Sequence, residues 1–200
     1  MIDVVIPTIK GREEKLAKLI ESIPKECNVI VVDDEDKSLS QKRNKGSRMG
    51  KSEFILFIDD DNVLGSRTIK YALDVFRDTT VGIVGMIACY ADDVCKIADS
   101  GSHRHLLSGI TWDRYVNQTI WELVGIPPYE VNEVANAFMV RRSLFEALGE
   151  FDSETFPTEM DEADLCKRAK WQEFKTMISP KPIVYHCSQT YSRIPDLSSS

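Results

Sequence analysis

The chain has 200 residues, 42% of them apolar, and a formal net charge of −7. That length suits one domain with its own core, and the apolar content excludes a disordered chain. No apolar run approaches the ~20 residues that span a bilayer, residues 1–7 reach an acid and a proline too early for a secretory signal, and net acidity disfavours nucleic acid, whose binding rests on neutralising phosphates. A cytoplasmic location is expected. The five cysteines form no CxxC pair, which fits reduced thiols in that compartment. Cys89 and Cys95 precede His103 and His105 at spacings that match no common zinc module.

Residues 2–6 are a short apolar run stopped by Pro7-Thr8 and predict a buried strand. Residues 11–23 place Leu16, Leu19, Ile20 and Ile23 on one helical face, and Pro24 ends them. Residues 29–32 predict a second strand, closed by Asp33-Asp34, and the polar stretch 40–51 a second helix. Residues 54–58 predict a third strand, closed by Asp59-Asp60-Asp61. Residues 66–76 repeat the helical pattern through Ile69, Ala72, Leu73 and Phe76, with Ser66 as its cap. Residues 81–88 complete a β-α-β-α-β-α-β order. Strands separated by helices imply a mostly parallel sheet with right-handed crossovers, covered on both faces. Residues 90–128 have no clean period and read as a loop-rich insertion holding Trp112, Tyr115 and Trp121, with a short helix near 115–124. An extended segment at 131–140, a short helix at 142–148 closed by Gly149, a helix at 161–171 and short strands at 174–178 and 183–185 follow, then a frayed tail at 196–200.

Ligands in open α/β sheets bind at the carboxyl ends of strands, where the first two acidic clusters fall. Three adjacent carboxylates at Asp59-Asp60-Asp61 repel one another; a divalent cation relieves that repulsion, and so does a solvated turn. Asp33 can accept from a base N–H or a ribose hydroxyl, or cap a turn. The acids from Glu159 to Asp164 lie at a helix start, where the dipole favours them; a carboxylate crowded by others also suits a general base. Lys42-Arg43-Asn44-Lys45-Gly46 can hold a diphosphate or face solvent. His186 is a metal ligand, a phosphate contact or a structural histidine.

The net charge is unevenly spread. Of the 32 acids, fourteen fall at 33–36, 59–61 and 150–164, stretches without Lys or Arg, and the rest of the chain sets 18 acids against 25 bases. The body is mildly basic around three acidic clusters. That keeps peripheral contact with an anionic membrane, or a lipid-phosphate acceptor, within reach.

In order and spacing these segments resemble the inverting family 2 glycosyltransferases of the GT-A fold. Val4-Val5-Ile6-Pro7-Thr8 looks like the family's first strand, and Val31-Val32-Asp33-Asp34 its second. Lys42-Arg43-Asn44-Lys45-Gly46 resembles Ala-Arg-Asn-x-Gly, and Phe57-Ile58-Asp59-Asp60-Asp61 the DxD motif. Ala137 to Arg142 with Gly149-Glu150-Phe151-Asp152 looks like the segment before the acceptor site. Asp161-Glu162-Ala163-Asp164-Leu165 with Arg168 is similar to Glu-Asp-x-Asp-Leu and its following Arg. The resemblance implies a single GT-A domain over 1–195, with a nucleotide-binding half at 1–88 and an acceptor-binding half at 89–195. It implies Pro7, Thr8, Asp33, Arg43, Asp59 and Asp60 around the nucleotide-sugar, with Asp60 in the variable place. Asp61 and His186 would hold Mn²⁺ or Mg²⁺, and Ser188 and Arg193 would extend that C-terminal loop. The catalytic base maps to Glu162, because the usual pair is inverted here, and Asp161 stays its competitor. The chain departs from the family's pattern at Glu35-Asp36-Lys37-Ser38, where a Gly-Ser pair is usual, and over 90–128.

The expected activity is metal-dependent transfer of a sugar, with inversion, from a nucleotide-diphosphate donor to a hydroxyl of a glycan, a lipid-linked or a protein acceptor. Oligomeric state is left open. The rival is a nucleotide-sugar binding protein of the same fold without transfer activity. A phosphatase with an Asp nucleophile would carry its DxD on the first strand, not the third. A nucleotidyltransferase would need more glycine than Thr8-Ile9-Lys10-Gly11-Arg12 offers, and a dinucleotide-binding domain would need GxGxxG.

Overall fold

Apolar runs and polar breaks become a layered α/β domain in the structure, a computed structural model that describes residues 2–104, 108–135 and 137–186. In chain order the elements are β1 (Ile2–Pro7), α1 (Glu13–Ser22), β2 (Asn28–Val32), α2 (Leu39–Met49), β3 (Phe54–Ile58), β4 (Asn62–Leu64), α3 (Thr68–Val75) and β5 (Val81–Tyr90). Next come β6 (Ile97–Asp99), β7 (Ser102–Arg104), β8 (Thr111–Asp113), a 3₁₀ turn (Ile120–Leu123), β9 (Tyr129–Glu130), β10 (Ala137–Arg141), α4 (Arg142–Ala147), α5 (Asp161–Trp171) and β11 (Lys175–His186). The main sheet has nine strands, in the order β2-β1-β3-β10-β5-β11-β4, with β6 on β5 and β9 on β11. β1 is parallel to β2 and β3, and β11 is parallel to β5. β10 runs antiparallel between β3 and β5. The sheet is mixed, and β3 and β5, though not neighbours, point the same way.

Side chains alternate across the pleat. Val5, Phe57, Ile83 and Phe138 pack on one face with Phe145, Phe151 and Leu165. Val4, Ile6, Leu56, Val84 and Met139 pack on the other with Leu19, Ile69 and Ala72. Both faces are covered, which is why the strands read as unbroken apolar runs. Asp3 is the buried exception in β1. Its carboxylate accepts from Asn28 Nδ2 (2.8 Å), from Ser52 N and Oγ (2.8 Å each) and from Arg142 Nη2 (2.7 Å), tying the start of the sheet to α4. Burial alone would raise its pKa, but these hydrogen bonds and the Arg142 charge hold it below the ordinary value.

The local expectations hold for the helices with shifts of a residue or two, and three details differ. α3 begins after Arg67, and Ser66 does not cap it. The helix expected near 115–124 is one 3₁₀ turn, and its aromatics divide: Tyr115 packs against the core beside Tyr129, while Trp112 and Trp121 are exposed. The two strands expected at 174–178 and 183–185 are one, with a register shift between Ser179 and Ile183 that absorbs Pro180 and Pro182. Ser188, Arg193, His105 and the 196–200 tail lie outside the described residues. Among the described residues no helix is long and apolar enough to cross a membrane.

Candidate active site

β1, β2, β3, β5 and β11 all end on one edge of the sheet, because each is parallel to the others directly or through β10. That edge collects Thr8, Asp33, the 59–61 triplet and His186. α2 lies against it on β1 and β2. The helix starts on a capping box, with Ser38 accepting from Gln41 N and the Gln41 side chain accepting from Ser38 N. Its buried stripe is polar: Ser40, Arg43, Asn44 and Ser47 stand at i, i+3, i+4 and i+7. Gly46 allows the close approach, since a Cβ there would lie 2.4 Å from Val5 Cγ1.

Three residues of the stripe have partners far along the chain. Arg43, 1% exposed, donates from Nη2 to Asp59 Oδ1 (3.0 Å) and from Nη1 to Asp161 Oδ2 (2.9 Å) and Glu162 Oε1 (2.6 Å). Ser40 Oγ donates to Asp161 Oδ2 (3.1 Å). Asn44 clamps the Phe151 backbone, giving from Nδ2 to its carbonyl (2.9 Å) and taking its N–H on Oδ1 (3.0 Å). The neighbouring lysines are engaged too, Lys42 on the Thr8 carbonyl (2.7 Å) and Lys45 on Asp34 (2.6 Å). The basic segment therefore organises protein groups through Lys42, Arg43 and Asn44, while Lys45 stays largely in solvent.

The acidic triplet points three ways. Asp59 turns to Arg43, with 30% of its side chain exposed, and burial pushes its carboxyl above the ordinary value against the pull of the guanidinium. Asp60 turns inward, accepting from Thr8 Oγ1 (2.6 Å) and Arg12 Nη1 (2.7 Å). Asp61 faces the end of β11, where His186 Nε2 lies 3.4 Å from its Oδ1. Its carboxyl sits below the ordinary value through that hydrogen bond, which outweighs burial. Among the described residues no group of three or more His, Cys, Asp or Glu converges on one point. A single carboxylate can nonetheless hold Mg²⁺ when substrate phosphates and water complete the shell, so Asp61 fits such an ion, with the His186 imidazole beside it as a nitrogen donor.

At the start of α5 the two adjacent acids differ. Asp161 is 0% exposed and held by Ser40 and Arg43, whereas Glu162 keeps 17% of its side chain exposed. Burial pushes the Glu162 carboxyl up to about 7, helped by the Asp161 charge and opposed by Arg43. Burial would raise Asp161 as well, but hydrogen bonding with Glu162, Arg43 and Ser40 brings it below its ordinary value. The residue ahead of the pair, Met160, adopts a left-handed φ of 68°. Further along α5, Arg168 braces the helix, donating to Asp164 (2.8 Å) and to the Leu148 carbonyl (2.8 Å).

The structure thus brings Arg43, Asp59, Asp161 and Glu162 into direct contact, and joins Thr8 to Asp60 and Asp61 to His186. Pro7 is buried at the end of β1, paired with Val32, and Asp33 is exposed beyond β2. Arg12 and Ser40 escape the sequence reading, which names Asn44 only as part of its motif. Arg12 follows a lone glycine in a loop and gives no signal. Ser40 and Asn44 share the helical spacing of Arg43, and that polar stripe was the available clue.

A mixed α/β sheet with an acidic centre at the carboxyl ends of its strands, flanked by a helix that starts on two acids, is the arrangement of the GT-A fold. Over residues 2–196 the sequence matches the family described as glycosyltransferase like family 2, and the chain belongs to it. No curated protein matches the chain by sequence. A crystal structure of GalNAc-T7 with UDP, GalNAc and Mn²⁺ superposes with a TM-score of 0.71 at 15% identity, over 96% of this chain and 44% of that one. S. aureus TarS 1-349 superposes at 0.60 and 17% identity, over 92% of this chain and 60% of that one, and its complex with UDP does the same over 59%. The likeness is one of fold, and the chain spans about half of these longer proteins.

Proposed function

We propose that this domain is a metal-dependent inverting glycosyltransferase that carries a sugar from a UDP-sugar to an acceptor hydroxyl. The observation that carries the reading is the single guanidinium of Arg43, which joins the acid after β3 to the acids that open α5. One cluster suits a donor and the other suits a base, and transfer needs both at one place. The UDP held by GalNAc-T7 and by TarS supports that choice of nucleotide.

Each residue then takes a role that its surroundings permit. Asp33, exposed at the edge, accepts from the base N–H, with Pro7 and Thr8 as the wall beside it. Asp59 accepts from a ribose hydroxyl with its exposed side. Asp60 fixes Thr8 and Arg12. Asp61 and His186 hold Mn²⁺ or Mg²⁺, which when bound acts as a Lewis acid toward the departing diphosphate. Glu162 takes the proton of the acceptor hydroxyl, because it alone of the pair has an exposed carboxylate edge. The freed oxygen attacks the anomeric carbon opposite the diphosphate, which inverts its configuration. Asp161 supports Glu162 from beneath.

The base works only when ionised. With its carboxyl pushed up to about 7, turnover should climb as pH rises through neutrality and level off above it. A kcat profile from pH 5 to 9 checks this, and an acid limb in the ordinary carboxylate range would remove Glu162 from the role. The donor is tested by thermal shift with a set of nucleotide-sugars, with and without Mn²⁺ or Mg²⁺. A metal-dependent rise with UDP-sugars is expected, and no rise with any donor sinks the reading. A donor that binds yet is never consumed across an acceptor panel would leave a binding protein of this fold.

A further inference from the structure

Arg43 enters as a residue of the nucleotide site, yet its guanidinium is taken up by carboxylates of the chain itself. It is buried, lies 5.7 Å above the Phe151 ring and is surrounded by Asp59, Asp161 and Glu162. Its Nε, also buried, has no hydrogen-bond partner among the described residues. We infer that Arg43 is a positioning residue that holds Glu162 and Asp59 on one guanidinium, fixing the base relative to the donor, and is not a ligand of the nucleotide. This deepens the transferase reading and takes its kinetic meaning from it.

The geometry gives the cation two effects. It sets the reach of Glu162, whose Oε1 lies 2.6 Å from Nη1. It also opposes what would keep Glu162 protonated. Glu162 faces Arg43 from α2, Asp161 and the Cys166 thiol from its own helix, and Asp59 stands on the far side of the guanidinium; Glu133, on the segment packed against α5, adds another negative charge near Cys166. Arg43 is the cation that touches Glu162; Arg104, beyond Met160, is paired with Glu133 and offsets that charge instead. Planar geometry matters, because one nitrogen serves the α5 acids while the other serves Asp59, and a lysine cannot span both. An opposite charge this close shifts a carboxyl by roughly one to three pH units. Without Arg43, Glu162 should hold its proton to higher pH.

The test reads that proton directly. Glutamate isotope-labelled at its carboxyl carbon, with the Glu162 resonance assigned through Glu162→Gln, is titrated by NMR in the wild-type chain, in Arg43→Lys and in Arg43→Gln. UDP affinity is measured beside it by calorimetry. The Glu162 midpoint should rise in the order wild type, Lys, Gln, by roughly one to three pH units at the extreme. An unmoved midpoint with UDP binding lost would make Arg43 a nucleotide ligand and overturn the inference. An unmoved midpoint with UDP binding intact overturns it too. If neither variant folds, Asp59→Asn takes their place: it frees the guanidinium of a competitor, so the midpoint should fall, and an unmoved one is again fatal. None of these measurements needs transfer. An inactive domain with a moved midpoint defeats the proposed function alone, and an active one with an unmoved midpoint defeats this inference alone.

Discussion

Glu162→Gln should lower kcat by about 10²- to 10⁴-fold, the range spanned by general base catalysis, with donor KM and melting temperature near wild type. Glutamine keeps the length and a hydrogen-bonding edge of the side chain and removes its negative charge and its capacity to take a proton. Arg43 retains Asp59 and Asp161, so the buried cation stays compensated. The contrast is Asp161→Asn. That carboxylate is 0% exposed and receives Ser40 and Arg43, so its loss should show first as lower thermal stability. Paired kcat and melting measurements on both variants decide the matter. Near-normal turnover in the Glu162 variant beside a folded but dead Asp161 variant would move the base one residue back.

Asp61→Ala should abolish the metal dependence of the donor-induced thermal shift and cut turnover by about 10³-fold. Lewis-acid stabilisation of a departing diphosphate is worth several kcal/mol, and about 4 kcal/mol corresponds to about 10³ in rate. The neighbouring positions explain why the effect belongs to Asp61. Asp60 is occupied by Thr8 and Arg12, and Asp59 by Arg43. Asp61 alone of the three stands beside an imidazole, at 3.4 Å. Titrating Mn²⁺ into the variant with donor present checks the assignment. A metal response as strong as that of the wild-type chain would discard it.

The strands that carry the acids were legible because a buried parallel strand must be continuously apolar, and Asp33 and Asp59 mark where that requirement stops. Short-range pattern could not reveal that residues 137–141 slip between β3 and β5, since strand order is settled by packing across the sheet. β4, at three residues, is too short to show a period. Pro180 and Pro182 read as a break because the bulge that tolerates them has no local signature. In the site, residue identities were legible and side-chain directions were not. Nothing in Asp-Asp-Asp says that the middle carboxylate turns inward to Thr8. The polar segment 40–51 was seen as a helix, but an inward-facing polar stripe runs against the rule that buried faces are apolar. It becomes intelligible only when Asp59, Phe151 and Asp161 are seen to supply its partners.

The antiparallel strand β10 also bears on how the polypeptide matures. β3, which delivers the acidic triplet, and β5 both bond to it, and it is encoded about eighty residues after β3. During synthesis both strands leave the ribosome with open edges, and open edges invite pairing with other chains. The strands of the first half therefore find their last partners only in the second half. One edge of β3 and of β5 is covered only once β10, ending at residue 141, has been made, and the other edge of β5, with β4, waits for β11.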